Sequence, residues 1–178
     1  YFFFFLLIFY SVSNYLTAQT TFQKTYGGTG EDKGYSVQQT NDNGFIIVGS
    51  TTSFGAGKED VYLIKTNSSG NVQWSKTYGG TENDAGLVVR ETNDGGYIIC
   101  GYTESFGGGN LDAYLIKTNS TGDTSWTKTY GRDTLDEALS VIQSSDGGYI
   151  FTGITFSVGN RSGEVMIIKT NSTGDTTW

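Results

Sequence analysis

A single period restricts this chain more than any motif in it. Phe22, Trp74, Trp126 and Trp178 stand 52 residues apart, and the copies between them align without insertion or deletion. A fixed period of this size marks a repeat architecture, in which each unit buries its apolar surface against its neighbours. The copies open on Phe22-Gln-Lys-Thr-Tyr26, Trp74-Ser-Lys-Thr-Tyr78 and Trp126-Thr-Lys-Thr-Tyr130. They continue through Asn41-Asp-Asn-Gly-Phe45, Asn93-Asp-Gly-Gly-Tyr97 and Ser145-Asp-Gly-Gly-Tyr149, and close on Lys65, Lys117 or Lys169 followed by Thr-Asn-Ser.

Inside each unit, runs rich in β-branched and aromatic residues alternate with Gly, Asn, Asp and Ser, the pattern of strands and turns. In the second unit the expected strands are 86–91, 97–103, 113–118 and 124–130, and no segment has a helical period. The chain therefore reads as all-β. Asn93 to Gly96 and Asn119 to Asp123 are tight hairpin signals, with Asn43 replacing Gly95 in the first copy as another residue tolerant of positive φ. The connections 79–85 and 104–112 are longer and Gly-rich, so an antiparallel meander puts tight turns at one end and long loops at the other.

Phe45-Ile-Ile-Val48, Val61-Tyr-Leu-Ile64 and Tyr97-Ile-Ile-Cys100 are nearly continuous apolar runs, whereas a sheet with one wet face alternates. Sheets buried on both faces, one per repeat, describe β-propeller blades. The expectation is three repeats of four antiparallel strands each, over 22–73, 74–125 and 126–177, forming an incomplete, open propeller fragment. Lys24, Lys76 and Lys128 guard the outer strand, leaving Gly86 to Glu91 innermost. Phe22 to Tyr26 reads as an isolated outer strand, and the third unit stops as its last strand begins. Such an arc has two raw ends and is prone to associate.

The run Asp94-Gly-Gly-Tyr-Ile-Ile-Cys-Gly-Tyr-Thr103, with Asp112-Ala-Tyr-Leu-Ile-Lys117 and Gly122, recurs in the flanking copies. On these residues the stretch 22–178 resembles the bacterial seven-bladed β-propeller repeat family of secreted and surface proteins. That resemblance implies a scaffold and brings no general catalytic residues with it. Kelch-type propellers, with a similar period and a Gly-Gly doublet, are the alternative.

Residues 1–18 differ from the rest. The apolar run Tyr1 to Tyr10 followed by small residues up to Ala18 reads as a secretory signal peptide whose basic n-region is missing, with residues 19–178 as the mature repeat region. The unbroken apolar run is shorter than the ~20 residues of a membrane span. The expected location is secreted or cell surface, with no span after cleavage. One Cys and no His exclude an intramolecular disulfide and the commonest general base. Cys100 reads as a small core residue.

The carboxylates Asp32, Asp84, Asp136 and Asp60, Asp112, Glu164 recur in every unit. Acid/base catalysis needs an asymmetric pair in two environments, so they read as turn acceptors or as partners of the repeated Lys. Asn41 to Gly44 has the opening of a calcium loop, but Thr52 stands where the bidentate Glu would be; no metal or cofactor is expected. Asn67, Asn119, Asn160 and Asn171 fit the glycosylation pattern, yet three of them fall in the same tight turn and read as turn residues. Trp74 and Trp126 read as packing between units, with sugar stacking the competing role.

Acidic residues dominate the long loops, and the net charge of −7 disfavours nucleic acid and anionic membranes. The expected function is a non-catalytic scaffold or binding module, with a carbohydrate-binding repeat lectin or a non-catalytic part of a larger secreted enzyme as alternatives. Binding residues concentrate on variable loops held by a rigid frame. The ligand-binding candidates are Phe54, Asp84, Phe106, Asp112 and Asp136 on the long-loop face. The expected partners are a protein or polysaccharide ligand, and the remaining blades of a parent chain.

Overall fold

A computed structural model describes residues 21–156 and 162–177. The first sheet holds β1 (Asp32–Gln39), β2 (Phe45–Thr51), β3 (Asp60–Thr66) and β4 (Val72–Tyr78). The second holds β5 (Asp84–Glu91), β6 (Tyr97–Thr103), β7 (Asp112–Thr118) and β8 (Thr124–Tyr130). The third holds β9 (Asp136–Gln143), β10 (Tyr149–Thr155) and β11 (Glu164–Thr170). Each sheet is an antiparallel meander in chain order. The chain is all-β, and the second-unit strands fall where expected, except that β5 begins at Asp84 and β7 at Asp112, because Asp84 and Ala85 pair with Thr103 and Tyr102 and Asp112 pairs with Thr103 from the other side.

The strand that opens one repeat completes the sheet of the repeat before it, as the expected second-unit strand 124–130 has it: β8 pairs with β7. Two expectations are corrected. The third sheet has three strands among the described residues, not four. Phe22–Tyr26 pairs with no strand there, since its neighbours are turn and side-chain groups of the first sheet and not a free strand edge. The proposed signal peptide and Asn160 lie outside the described residues.

Local chemistry sets the turns. Asn43 has φ 64°, Gly95 77° and Gly147 83°, so one left-handed position is filled by the residues that tolerate it. In the second copy the Asp94 side chain closes this turn, accepting from Thr92 Oγ1 at 2.5 Å and from the Gly96 N–H at 3.0 Å. A β-bulge interrupts the first strand of every sheet, leaving Tyr35, Leu87 and Leu139 as the extra residues.

β3 and β7 are buried along their whole length, as are nearly all residues of β6. For β6, β7 and the front of β3 the reason is sheet-on-sheet packing, while on the back of β3 Tyr62 is covered by Phe54. The front of the first sheet (Ile46, Val48, Val61, Leu63) packs on the back of the second (Val89, Tyr97, Ile99, Tyr114, Ile116). The front of the second (Ile98, Cys100, Ala113, Leu115) packs on the back of the third (Ala138, Val141, Tyr149, Phe151). The first strands of successive sheets touch, β1 with β5 and β5 with β9, which puts Gly86–Glu91 where the sheets converge. Full burial of a side chain such as Val61 or Val89 stabilises by roughly 1.5–3 kcal/mol.

The two interfaces reach the same fit with different side chains. A Cβ on Gly86 would lie 2.5 Å from Val48 Cγ2 and 2.9 Å from Val61 Cγ1. One repeat later Ala138 occupies the position of Gly86, and Cys100 and Ala113 replace the two valines. Volume moves from one sheet to its neighbour. We expect Gly86→Ala to destabilise by about 1–3 kcal/mol through overpacking. In that background Val61→Ala should cost less than it does alone. A double-mutant cycle from urea denaturation measures the coupling, and additive effects would contradict the packing.

Candidate functional site

The long loops form a continuous backbone structure. The Asp84 N–H donates to Glu59 O at 2.7 Å and the Glu104 N–H to Asn83 O at 2.8 Å. One repeat on, the Asp136 N–H donates to Leu111 O at 2.8 Å and the Phe156 N–H to Leu135 O at 2.9 Å. Short parallel bridges, Glu59 with Asn83 and Leu111 with Leu135, tie each β2–β3-type loop to the entry of the next sheet. Lys58 pairs with Glu82 across the same junction, and Asn83 Nδ2 donates to Glu104 Oε2 at 2.7 Å. The loop backbones are thus held to one another as well as to their own strands.

Beneath them lie the repeated carboxylates. Asp84 Oδ2 accepts from the Gly80 N–H at 2.8 Å and Ser105 Oγ at 2.6 Å, and Ser105 Oγ in turn accepts from the Glu82 N–H at 3.0 Å. Asp32 makes the corresponding bonds to the Gly28 N–H and Ser53 Oγ, with Thr51 Oγ1 on its second oxygen. Burial raises the Asp32 pKa, but these donors outweigh it and the group lies below the usual carboxylate range. Asp60 accepts from the Ala56 and Gly57 N–H groups at 3.0 and 3.1 Å, Asp112 from Gly109 at 3.1 Å, and Asp136 from Arg132 at 3.1 Å. They act as acceptors for loop donors, one of the two expected roles; the repeated Lys residues bond elsewhere.

Two successive carboxylates close around one glycine. A Cβ on Gly79 would stand 2.2 Å from Asp60 Oδ1 and 2.6 Å from Asp84 Oδ2, and one on Gly131 2.4 Å from Asp112 Oδ1 and 2.6 Å from Asp136 Oδ2. Only glycine leaves the room that lets an aspartate at the end of one sheet and an aspartate at the start of the next share that spot. Beside it, a cleft of about 330 Å³ opens between the first and second sheets, lined by Gly55, Asp60, Tyr78, Gly79, Tyr114 and Thr127. Glu164, the third-copy counterpart of Asp60, is exposed.

The candidate residues therefore separate into two groups. Asp84, Asp112 and Asp136 are buried, at 0%, 2% and 0% exposure, and shape the loops from below. Phe54 and Phe106 are 46% and 45% exposed. Each packs at a tilt on a tyrosine, Phe54 on Tyr62 with ring centres 5.5 Å apart and Phe106 on Tyr114 at 5.9 Å, and its Cζ reaches the neighbouring loop, 3.0 Å from where a Cβ on Gly28 and 3.3 Å from where a Cβ on Gly80 would stand. Ser53 and Ser105 were not singled out in the sequence. Their signal was the recurrence of Ser-Phe-Gly after the second strand.

The tight-turn end is closed by lysines. Lys117, buried along an otherwise apolar strand, donates from Nζ to Asp94 Oδ1 and Oδ2 at 3.1 and 2.9 Å and to Thr118 O at 2.7 Å. Lys65 with Asp42 and Lys169 with Asp146 repeat the clamp. Lys76 and Lys128 reach across to Asp123 and Asp175 in the next sheet at 3.0 and 2.9 Å, while Tyr78 and Tyr130 donate to Gly122 O and Gly174 O at 2.6 Å. Asn67, Asn119 and Asn171 are turn residues whose Oδ1 accepts backbone N–H groups. Trp74 and Trp126 occupy equivalent places, packed on Tyr97 and Tyr149 with ring centres 5.9 and 5.7 Å apart. Cys100 is fully buried, and burial pushes its thiol up to about 12.

No family profile matches the chain. A regulatory protein of Caulobacter vibrioides, FlaEY, is 27% identical over 104 residues, an alignment that spans 51% of this chain and 11% of that protein. A crystal structure of a protein of unknown function from Bacteroides caccae aligns with a TM-score of 0.32 and 10% identity, over 82% of this chain and 66% of that one.

The clamps make stability depend on acid. Hydrogen bonds from Lys65 and then Thr40 hold Asp42 at about 2 against its burial. At Asp94 burial acts upward, but Thr92, Lys117 and the Gly96 N–H together bring it to about 2. Both folded-state values lie below the ~3.9 of an unfolded Asp. Their contribution is present above about pH 4 and is lost as pH falls towards about 2. Urea midpoints measured across this window should fall steeply for the native chain and less steeply for Asp42→Asn with Asp94→Asn, which removes both titrations.

Proposed function

We propose that residues 22–178 are successive β-propeller blades serving as a secreted or cell-surface binding scaffold, without catalysis, whose ligand face is the long-loop end. One observation carries this reading. Phe54 and Phe106 stand at the same place in successive units, half exposed, on loops whose backbones are bonded together and propped by buried carboxylates. Half-exposed aromatic rings on a rigid frame offer large contact area at low entropic cost.

The opposite end offers less. Its turns are nearly the same in every unit and their Asp and Lys side chains are bonded to one another. The buried loop carboxylates have their oxygens directed to backbone N–H groups, which suits support better than proton transfer. The acidic surface favours a cationic or polyhydroxylated partner over an anionic one. The name of the Caulobacter relative describes regulation, a role that a non-catalytic binding module can fill. The secreted location rests on the apolar run and small-residue end of residues 1–18.

An array of neutral and cationic polysaccharides, together with displayed peptides, tests the assignment. We expect binding by the native chain and at least a tenfold loss in Phe54→Ala with Phe106→Ala, the ~1.4 kcal/mol expected when an anchoring ring is truncated. Thr121→Ala in a tight turn should leave affinity unchanged. Loss with Thr121→Ala and retention without the two rings would place the ligand at the other end.

A further inference from the structure

The cleft between the first and second sheets gathers carboxylates that no basic side chain answers. Asp60 lines it and is only 2% exposed. Its Oδ2 is taken by the Ala56 and Gly57 N–H groups, whereas no hydrogen bond among the described residues reaches Oδ1, which faces Gly79 on the wall of the same cleft. Asp84 Oδ2 approaches the same glycine, and its donors, the Gly80 N–H and Ser105 Oγ, are neutral. No lysine or arginine is among the residues that line the space. A buried carboxylate in this position favours a cation beside it.

The rest of the lining selects the kind of cation. A hard metal ion takes about six or more oxygen ligands, and among the described residues no three acidic, His or Cys side chains gather to hold one. The lining turns instead to Tyr78 and Tyr114, with the hydroxyls of Thr77, Thr124 and Thr127. Tyr78 donates its hydroxyl to Gly122 O at 2.6 Å, so what it offers the cleft is its ring. Burial pushes Tyr114 up to about 12, which keeps its hydroxyl a neutral donor. Tyrosine rings attract an ammonium and cover the methylenes that carry it. The volume of about 330 Å³ falls in the range of small-ligand sites, and the lining extends from Gly55 and Asp60 to Thr124 and Thr127 on β8, which leaves room for an alkyl chain behind a charged head.

The next junction has another chemistry. Between the second and third sheets Arg132 stands in the place of Gly80 and Met166 in that of Tyr114, and both line the space beside Asp136. That junction has a cation of its own and no tyrosine at this position. The first junction has the tyrosine and the carboxylates alone.

We propose that the cleft between the first and second sheets binds a primary alkylammonium, the end of a lysine side chain or of a free polyamine, with the ammonium on Asp60 Oδ1 and its methylenes along Tyr78 and Tyr114. Neither Phe54 nor Phe106 lines this cleft, so the site is separate from the exposed rings of the loop face.

Amide shifts of the isotope-labelled chain, followed near neutral pH, test this by titration with n-butylammonium, Nα-acetyl-lysine amide and putrescine, and with n-pentanol and glucose as uncharged probes. The ammonium compounds should saturate shifts at Gly79 and Tyr114, and the uncharged probes should bind about tenfold more weakly or not at all. Tighter binding of the lysine amide supports a protein side chain as the natural occupant, and tighter binding of putrescine a free polyamine. Thr127 is exposed on the lining, so Thr127→Lys and Thr127→Gln should both fold. Thr127→Lys, which sets an ammonium of the chain's own in the cleft, should weaken n-butylammonium about tenfold, while the uncharged Thr127→Gln should bind as the native chain does. Asp60→Asn should weaken it equally; because Asp60 also props its loop, the Thr127 pair decides the matter where that variant fails to fold. Equal binding of n-butylammonium and n-pentanol overturns the proposal, as do preference for glucose, shifts that avoid Gly79 and Tyr114, or native affinity in Thr127→Lys.

Discussion

Every feature of this molecule follows from strands that are apolar on both faces. Such a strand cannot sit in a sheet with a wet side, because burying only half of it would leave a row of valines and isoleucines in water. The second sheet meets the requirement fully, covered by the first on one face and the third on the other. The outer two meet it fully on one face and only in part on the other, where Tyr62 and Ile64 are buried but Val37 and Val165 are exposed while their counterparts are not. A single unit of this sequence would leave the apolar faces that its neighbours cover in water.

Burying so much apolar sheet forces polar groups into the same space, and each end resolves this differently. At the tight turns a lysine inside an apolar strand reaches out to a surface aspartate and to a backbone carbonyl, so its buried charge is compensated at the boundary with water. At the long loops aspartates that end or begin strands accept loop N–H groups that no strand could satisfy. Asp84 Oδ1 is a remainder of this arrangement, buried with no hydrogen-bond partner among the described residues. Gly79 is needed there because the backbone must pass between two carboxylates. The loop end is therefore rigid from below and variable above.

Much of this was legible in the sequence. The period, the β-branched runs and the interchange of Asn43 with Gly95 gave the strands, the turns and the two ends, because each depends on local chemistry. That Phe22–Tyr26 forms no strand was less accessible, since it has the same local pattern as Trp74–Tyr78 and differs only in whether a strand edge lies beside it. The clamp between Lys117 and Asp94 joins residues 23 apart across a sheet, and nothing local distinguishes that aspartate from one that merely closes a turn. For Asp84, Asp112 and Asp136 the sequence placed the residues at the right end but could not give their direction. They point inward, under the loops that Phe54 and Phe106 crown.

Near-identical units could in principle stack in many registers, and the interfaces show what prevents it. The glycine of β5 faces two valines, whereas the alanine of β9 faces a cysteine and an alanine. Exchanging neighbours would set Ala138 against Val48 and Val61, a clash, or Gly86 against Cys100 and Ala113, a void. Either error costs about 1–3 kcal/mol or more. The differences between copies thus specify which front belongs with which back, a discrimination the shared pattern cannot supply.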